Sequence, residues 1–173
     1  MKTYIGTKMI NARPLTRGDY NAYRGWAPPA NEDQGAPGYL VEYLDGGKPN
    51  DSRHAGYISW SPAEQFDNAY RETSGLSFGL AIEALKKGFK VARAGWNGKG
   101  MWLLLVPGTE LAKLNPGTPY AKALSTPEAE CNACEILPHI DMWTVNAHGR
   151  RAMLPGWLAS QTDMLADDWA IVD

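Results

Sequence analysis

Apolar positions along the chain fall into two sets of elements, separated by the polar stretch Glu72-Thr73-Ser74-Gly75. In the first set, Lys8 to Arg13 reads as a strand. Thr16-Arg17-Gly18-Asp19 resembles a capping box opening a short helix through Tyr23, because a Thr hydroxyl can accept from a free amide of the first turn. The Pro- and Gly-containing stretch from Trp26 to Gly38 is a loop. Gly38 to Leu44 and Tyr57 to Trp60 carry the aromatic and branched residues of strands. Ser61-Pro62-Ala63-Glu64 predicts a helix start, with Ser61 as cap, Pro62 at the first helical position and Glu64 reaching back, so that a helix runs to about Tyr70.

The second set opens with Phe78, Ala81, Ile82 and Leu85, spaced as one face of a helix that Gly88 ends. Lys90 to Arg93 and Met101 to Val106 are strands of a hairpin closed by the tight turn Gly95-Trp96-Asn97-Gly98. Pro107 to Cys134 is a long excursion rich in Pro, Thr and Ala, with a short helix expected near Glu110 to Leu114. Ile140 to Val145 and Arg151 to Leu154 form a second strand pair through Asn146-Ala147-His148-Gly149. Ser160-Gln161-Thr162-Asp163 caps a short helix, and Trp169 to Val172 is the closing strand. No strand-helix-strand alternation of the parallel kind occurs, so the fold class is α+β: an antiparallel sheet with a few short helices, plus a small α+β N-terminal module. The domains are accordingly 1–72 and 73–173.

Composition narrows the function classes. With 44% hydrophobic and 21% charged residues, the 173-residue chain matches globular averages. A net charge of −2 gives no general attraction to a polyanion, so duplex nucleic acid is not an expected partner. No apolar run approaches the roughly 18 residues of a membrane span. The residues after Met1-Lys2-Thr3-Tyr4 are polar and lack a signal-peptide core, which argues for a cytoplasmic protein whose two cysteines stay reduced. Seven Trp and eight Tyr stand against three Phe, a bias toward flat rings with a polar edge that suits base stacking as well as ordinary cores.

Candidate chemistry is sparse. Cys131 and Cys134 with His139 and His148 could in principle close a tetrahedral zinc site, but the two His lie far apart across a predicted strand, and no metal is expected. Asp163, Asp167 and Asp168 form a carboxylate cluster that reads better as helix capping and a solvated face than as a divalent-ion site. Walker loops, nucleophile elbows and zinc-protease helices are missing, so no catalytic residue and no cofactor are assigned. An enzyme reading would have to use His139 or His148 with the Asp163 group. Gly95 to Gly100 is a candidate binding loop: its glycines allow close backbone approach, Trp96 offers a stacking face and Asn97 a donor and an acceptor, although a plain hairpin turn uses the same residues. In the N-terminal segment, Tyr39, Tyr43, Tyr57 and Trp60 suit cross-strand packing better than an interaction surface for a host or virion protein.

Three motifs in order carry a family resemblance. They are Phe78-Gly79-Leu80-Ala81 with Ala84-Leu85-Lys86-Lys87-Gly88, then Val91-Ala92-Arg93 through Gly95-Trp96-Asn97-Gly98-Lys99-Gly100-Met101, and finally Pro155 to Ala166 before Asp168-Trp169. From about Leu76 to Asp173 the chain resembles the second Thoeris anti-defence family. That resemblance implies a phage sponge protein acting in the cytoplasm of the infected bacterial host. Such a protein sequesters the glycocyclic ADP-ribose signal of TIR-domain enzymes without degrading it and assembles as a homotetramer with pockets between subunits. Similar sponges also take cyclic oligonucleotides of CBASS-type defence, which is the alternative ligand. Carried onto this chain, the resemblance implies a ligand site of Phe78, Trp96, Asn97, Gly98, Trp157, Ser160, Gln161, Thr162 and Asp163. The first 71 residues lie outside it and look like a small phage-borne module, and Pro107 to Cys134 is a longer excursion than a minimal version needs.

Overall fold

The computed structural model describes residues 1–98, 100–110, 113–123 and 135–173. The chain divides into two units, Met1–Arg71 and Glu72–Asp173.

In the first unit, β1 (Ile10–Pro14), β2 (Gly38–Tyr43) and β3 (Ile58–Pro62) form an antiparallel sheet in that order, with α1 (Arg17–Arg24) between β1 and β2. The Thr16 hydroxyl accepts the Asp19 amide at 3.1 Å, and Gly25, at φ 68°, ends the helix in the left-handed region that glycine enters without strain. Tyr20 of α1 buries against Leu40 and Ile58 of the sheet. The long β2–β3 connection is tied down by Glu42, which accepts the Ala55 and Gly56 amides and pairs with His54, itself hydrogen-bonded to Tyr23.

The helix that follows, α2 (Ala63–Ala69), starts later than its local sequence predicts. Ser61 and Pro62 remain in β3, opposite Tyr39 and Gly38, and Ser61 makes no capping bond. Ladder hydrogen bonds to β2 compete with the cap for the same residues, and here the ladder prevails. Tyr39 stacks on Phe66 of α2 at 4.0 Å, Tyr43 lies 6.3 Å from Tyr57, and the Trp60 indole donates to Leu15 O at 2.9 Å. These four rings are engaged in packing within the unit.

The second unit runs α3 (Phe78–Lys86), β4 (Lys90–Arg93), β5 (Trp102–Val106), β6 (Thr109–Glu110), α4 (Pro119–Ala123), β7 (Glu135–Ile136), β8 (His139–Val145), β9 (Arg151–Leu154), α5 (Gln161–Met164) and β10 (Trp169–Val172). Five strands make an antiparallel sheet in the order β10-β4-β5-β8-β9. Ala81, Ala84 and Leu85 of α3 pack on Val91, Leu103 and the fully buried Trp169. Reciprocal backbone bonds between Leu76 and Trp169, at 2.7 and 3.1 Å, fasten the approach to α3 onto β10. The fold is therefore α+β with antiparallel sheets and short helices. Among the described residues no helix is long and apolar enough to cross a membrane.

One local expectation fails in this unit and another is met only in part. The stretch Glu110 to Leu114, where a short helix is expected, begins in β6, which pairs with β7 about 25 residues on; residues 111–112 lie outside the described residues, and Lys113 stands in a 3-10 turn. The connection from β4 to β5 spans residues 94–101 and is not a tight turn. Its start is drawn toward β10 instead, where the Asp168 backbone oxygen accepts the Ala94 amide at 3.1 Å and the Asp168 carboxylate accepts the Gly95 amide at 2.7 Å.

Candidate functional site

The three sequence motifs meet around Trp169. Phe78, at the start of α3, has its ring 5.5 Å from Trp169 and 6.5 Å from Trp157. Trp96 stands edge-on to Trp169 at 5.4 Å and to Trp157 at 6.0 Å. Trp157 completes the group at 6.0 Å from Trp169, held by its own amide donating to Ile140 O of β8. Trp169 is fully buried, whereas Phe78, Trp96 and Trp157 are only partly so. A buried Trp169 ringed by three partly buried aromatic side chains is thus built from residues far apart in sequence.

Bonded to the Trp96 and Trp169 indoles is a charged hub. Ser160 caps α5 in a full capping box: its hydroxyl accepts the Asp163 amide at 3.2 Å, while the Asp163 carboxylate accepts the Ser160 amide at 3.0 Å and the Ser160 hydroxyl at 2.6 Å. The other Asp163 oxygen accepts the Trp96 indole at 3.0 Å and Arg93 Nη1 at 2.9 Å. Arg93 turns its Nε and Nη2 to Asp168 at 2.7 and 3.4 Å. Asp163 O accepts the Trp169 indole at 2.9 Å. Asp163 is 8% exposed. Burial pushes its pKa up, but hydrogen bonds from Ser160, Trp96 and Arg93 outweigh this and hold it well below the usual carboxylate range. Asp168 is lowered chiefly by Arg93, and the Arg93 pKa is raised by Asp168 and Asp163 in turn.

The candidate residues therefore divide by what they offer. Asp163 points inward with both oxygens occupied, so it organises the site and has little left to read a ligand hydroxyl. Gln161, Thr162 and Asn97 are exposed; the Thr162 hydroxyl pairs with Ser160 at 2.8 Å, and the Asn97 and Gln161 side chains make no hydrogen bond to another described residue. Gly98 runs close to Met101, whose sulfur would lie 2.5 Å from any added Cβ; Lys99 is outside the described residues. Gly95 is equally constrained, because a Cβ there would sit 2.7 Å from the Asp168 carboxylate.

Arg93 is the residue that motif reading left out of the site. Its partners lie 70 and 75 residues away, and no local pattern signals such a contact. Its guanidinium also occupies the space between Asp163 and Asp168, the position a cation would need in that acidic cluster. Cys131 and Cys134 of the zinc alternative lie outside the described residues; among the described residues no group of three or more His, Cys, Asp or Glu is arranged to hold a metal. His139 bonds to Leu137 O and faces Asp141 at 3.5 Å, and His148 lies on the β8–β9 turn. Asp163 takes its side-chain hydrogen bonds from Trp96, Arg93 and Ser160 among the described residues.

Residues 76–172 match the Thoeris anti-defense 2-like domain family. The chain is 36% identical over 97 residues to Thoeris anti-defense 2 of Bacillus phage SP01, an alignment that covers 56% of this chain and 94% of that relative. The matched span begins in the second unit, one residue after Gly75, and contains every member of the aromatic cluster and the charged hub.

Proposed function

This chain belongs to the Thoeris anti-defense 2-like family, and on that premise we propose that it is a phage-encoded sponge: it binds glycocyclic ADP-ribose and withholds it from the Thoeris effector without breaking a bond. The observation that carries the reading is the convergence of Phe78, Trp96 and Trp157 on Trp169, beside the exposed polar groups of Asn97, Gln161 and Thr162. Partly exposed flat rings suit adenine, and neutral amide and hydroxyl groups suit ribose. Competition with an effector calls for a dissociation constant near nanomolar, about −12 kcal/mol, which a site ordered before binding reaches most readily.

Two features favour a site completed by a second protomer, in a homotetramer. Arg93 carries one positive charge against the two carboxylates of Asp163 and Asp168, so this hub offers no spare cation to a pyrophosphate. Leu158 and Leu165 flank α5 at 87% and 82% exposure, which leaves apolar surface uncovered beside the site in a lone chain. Phosphate contacts and apolar cover would both come from the neighbouring copy. The protein works, on this reading, inside the infected bacterium, where the signal is made.

The test is recovery of the ligand. Glycocyclic ADP-ribose is incubated with excess protein, removed from solution, and released by heat denaturation. Intact ligand in the released fraction is the expected result; a cleaved product would replace the sponge with an enzyme. Retention of a cyclic oligonucleotide in place of glycocyclic ADP-ribose would reassign the signal.

A further inference from the structure

We propose that Arg93 is the positioning residue of this ligand site, holding the two segments that flank it in one fixed arrangement; the inference rests on the ligand-site reading above. Arg93 is the last residue of β4, a strand in the interior of the five-stranded sheet, and its backbone is paired with Trp169 of β10. Its planar head reaches three acceptors: the Asp168 carboxylate through Nε and Nη2, the Asp163 carboxylate through Nη1, and Thr162 O through Nη1 at 3.2 Å. Each carboxylate then passes the position on. Asp168 takes the Gly95 amide and so sets where the 94–101 loop leaves the sheet. Asp163 takes the Trp96 indole and the Ser160 amide and so sets the Trp96 ring relative to α5.

The side chain itself is only 15% exposed and is surrounded by its acceptors. Its task is therefore orientation, and contact with ligand falls to the groups it orients. A lysine would keep the charge but could not reproduce this geometry, because an ammonium is a compact charge on a flexible stem while the guanidinium presents its donors in a rigid fork. Without the fork, Trp96 and the start of α5 would have to be ordered during binding, at a cost to affinity.

The experiment compares wild type with Arg93→Lys, both as the full chain. Affinity for glycocyclic ADP-ribose is measured by calorimetry, and the Trp96 indole N–H resonance by NMR without ligand, at a temperature where circular dichroism shows both proteins folded. The expected result is a displaced or broadened Trp96 indole signal and binding weaker by roughly tenfold to a hundredfold, the affinity equivalent of ordering two side chains on association. If Arg93→Lys does not fold, Asp168→Ala replaces it. That variant keeps the Arg93–Asp163 contact, removes every acceptor for the Gly95 amide at this position, and is expected to weaken binding about tenfold by freeing the loop at Gly95. Wild-type affinity in the folded variant, with an unmoved indole signal, would overturn the positioning role alone. Failure of the wild-type protein to bind would overturn the ligand reading, and this inference with it.

Discussion

Replacing Asp163 by Ala removes one carboxylate that serves four donors: the Trp96 indole, Arg93 Nη1, and the Ser160 amide and hydroxyl. Arg93 keeps Asp168, so the loss falls at the lower end of the ~3–5 kcal/mol typical of removing one partner from a buried ion pair. Part of the α5 cap survives, because the Ser160 hydroxyl still accepts the amide of residue 163. About 3 kcal/mol in a unit of about 100 residues corresponds to a fall in Tm of about 12–24 °C. Urea unfolding followed by intrinsic fluorescence is a suitable assay, since Trp96, Trp157 and Trp169 all report on this unit. A midpoint within about 0.5 kcal/mol of wild type would refute the reasoning, for that is the range of surface changes that touch nothing. The result also governs how ligand data are read. Weaker capture by Asp163→Ala is expected, and it would come from a loosened site more than from a lost ligand contact.

Other perturbations separate the remaining claims. Ser160→Ala is expected to cost about 1 kcal/mol, whereas Ser61→Ala, at a position that caps nothing, is expected to stay within about 0.5 kcal/mol; equal effects in urea unfolding would contradict the two placements. Gly95→Ala forces a Cβ against Asp168 and Arg93 and is expected to destabilise by about 1–3 kcal/mol; a neutral result would show that the loop yields freely. Asp163 and Asp168 both have folded pKa values below their unfolded values, so their contribution is complete above about pH 4 and lost as pH falls below it. The urea midpoint is expected to drop below about pH 4, less steeply in Asp168→Asn, and a midpoint flat down to pH 2 would contradict the hub.

What was legible in the sequence was what is encoded locally. Thr16 caps α1, Ser160 and Asp163 form a capping box, and the apolar spacing from Phe78 marks α3, each within a few residues of chain. Contacts between distant segments were not legible. Ser61 has the composition of a helix cap, but its strand partner Tyr39 lies 22 residues earlier. The Glu110 region is drawn into a strand by Glu135 and Ile136. For the site, motif order named segments that the fold brings together around Trp169, and it counted Asp163 among the ligand contacts. The capping box was the available signal to the contrary, because the acidic residue of such a box turns back toward its own cap. Arg93 had no signal of its own, since both of its carboxylates belong to the last dozen or so residues of the chain.

The central claim is tested most directly by titrating glycocyclic ADP-ribose into the 173-residue chain in a calorimeter and analysing the contents of the cell afterwards by mass spectrometry. Saturable binding with a dissociation constant near nanomolar, and a ligand of unchanged mass, is the result this account predicts. No heat at micromolar concentrations, for this signal and for cyclic dinucleotides alike, would contradict it.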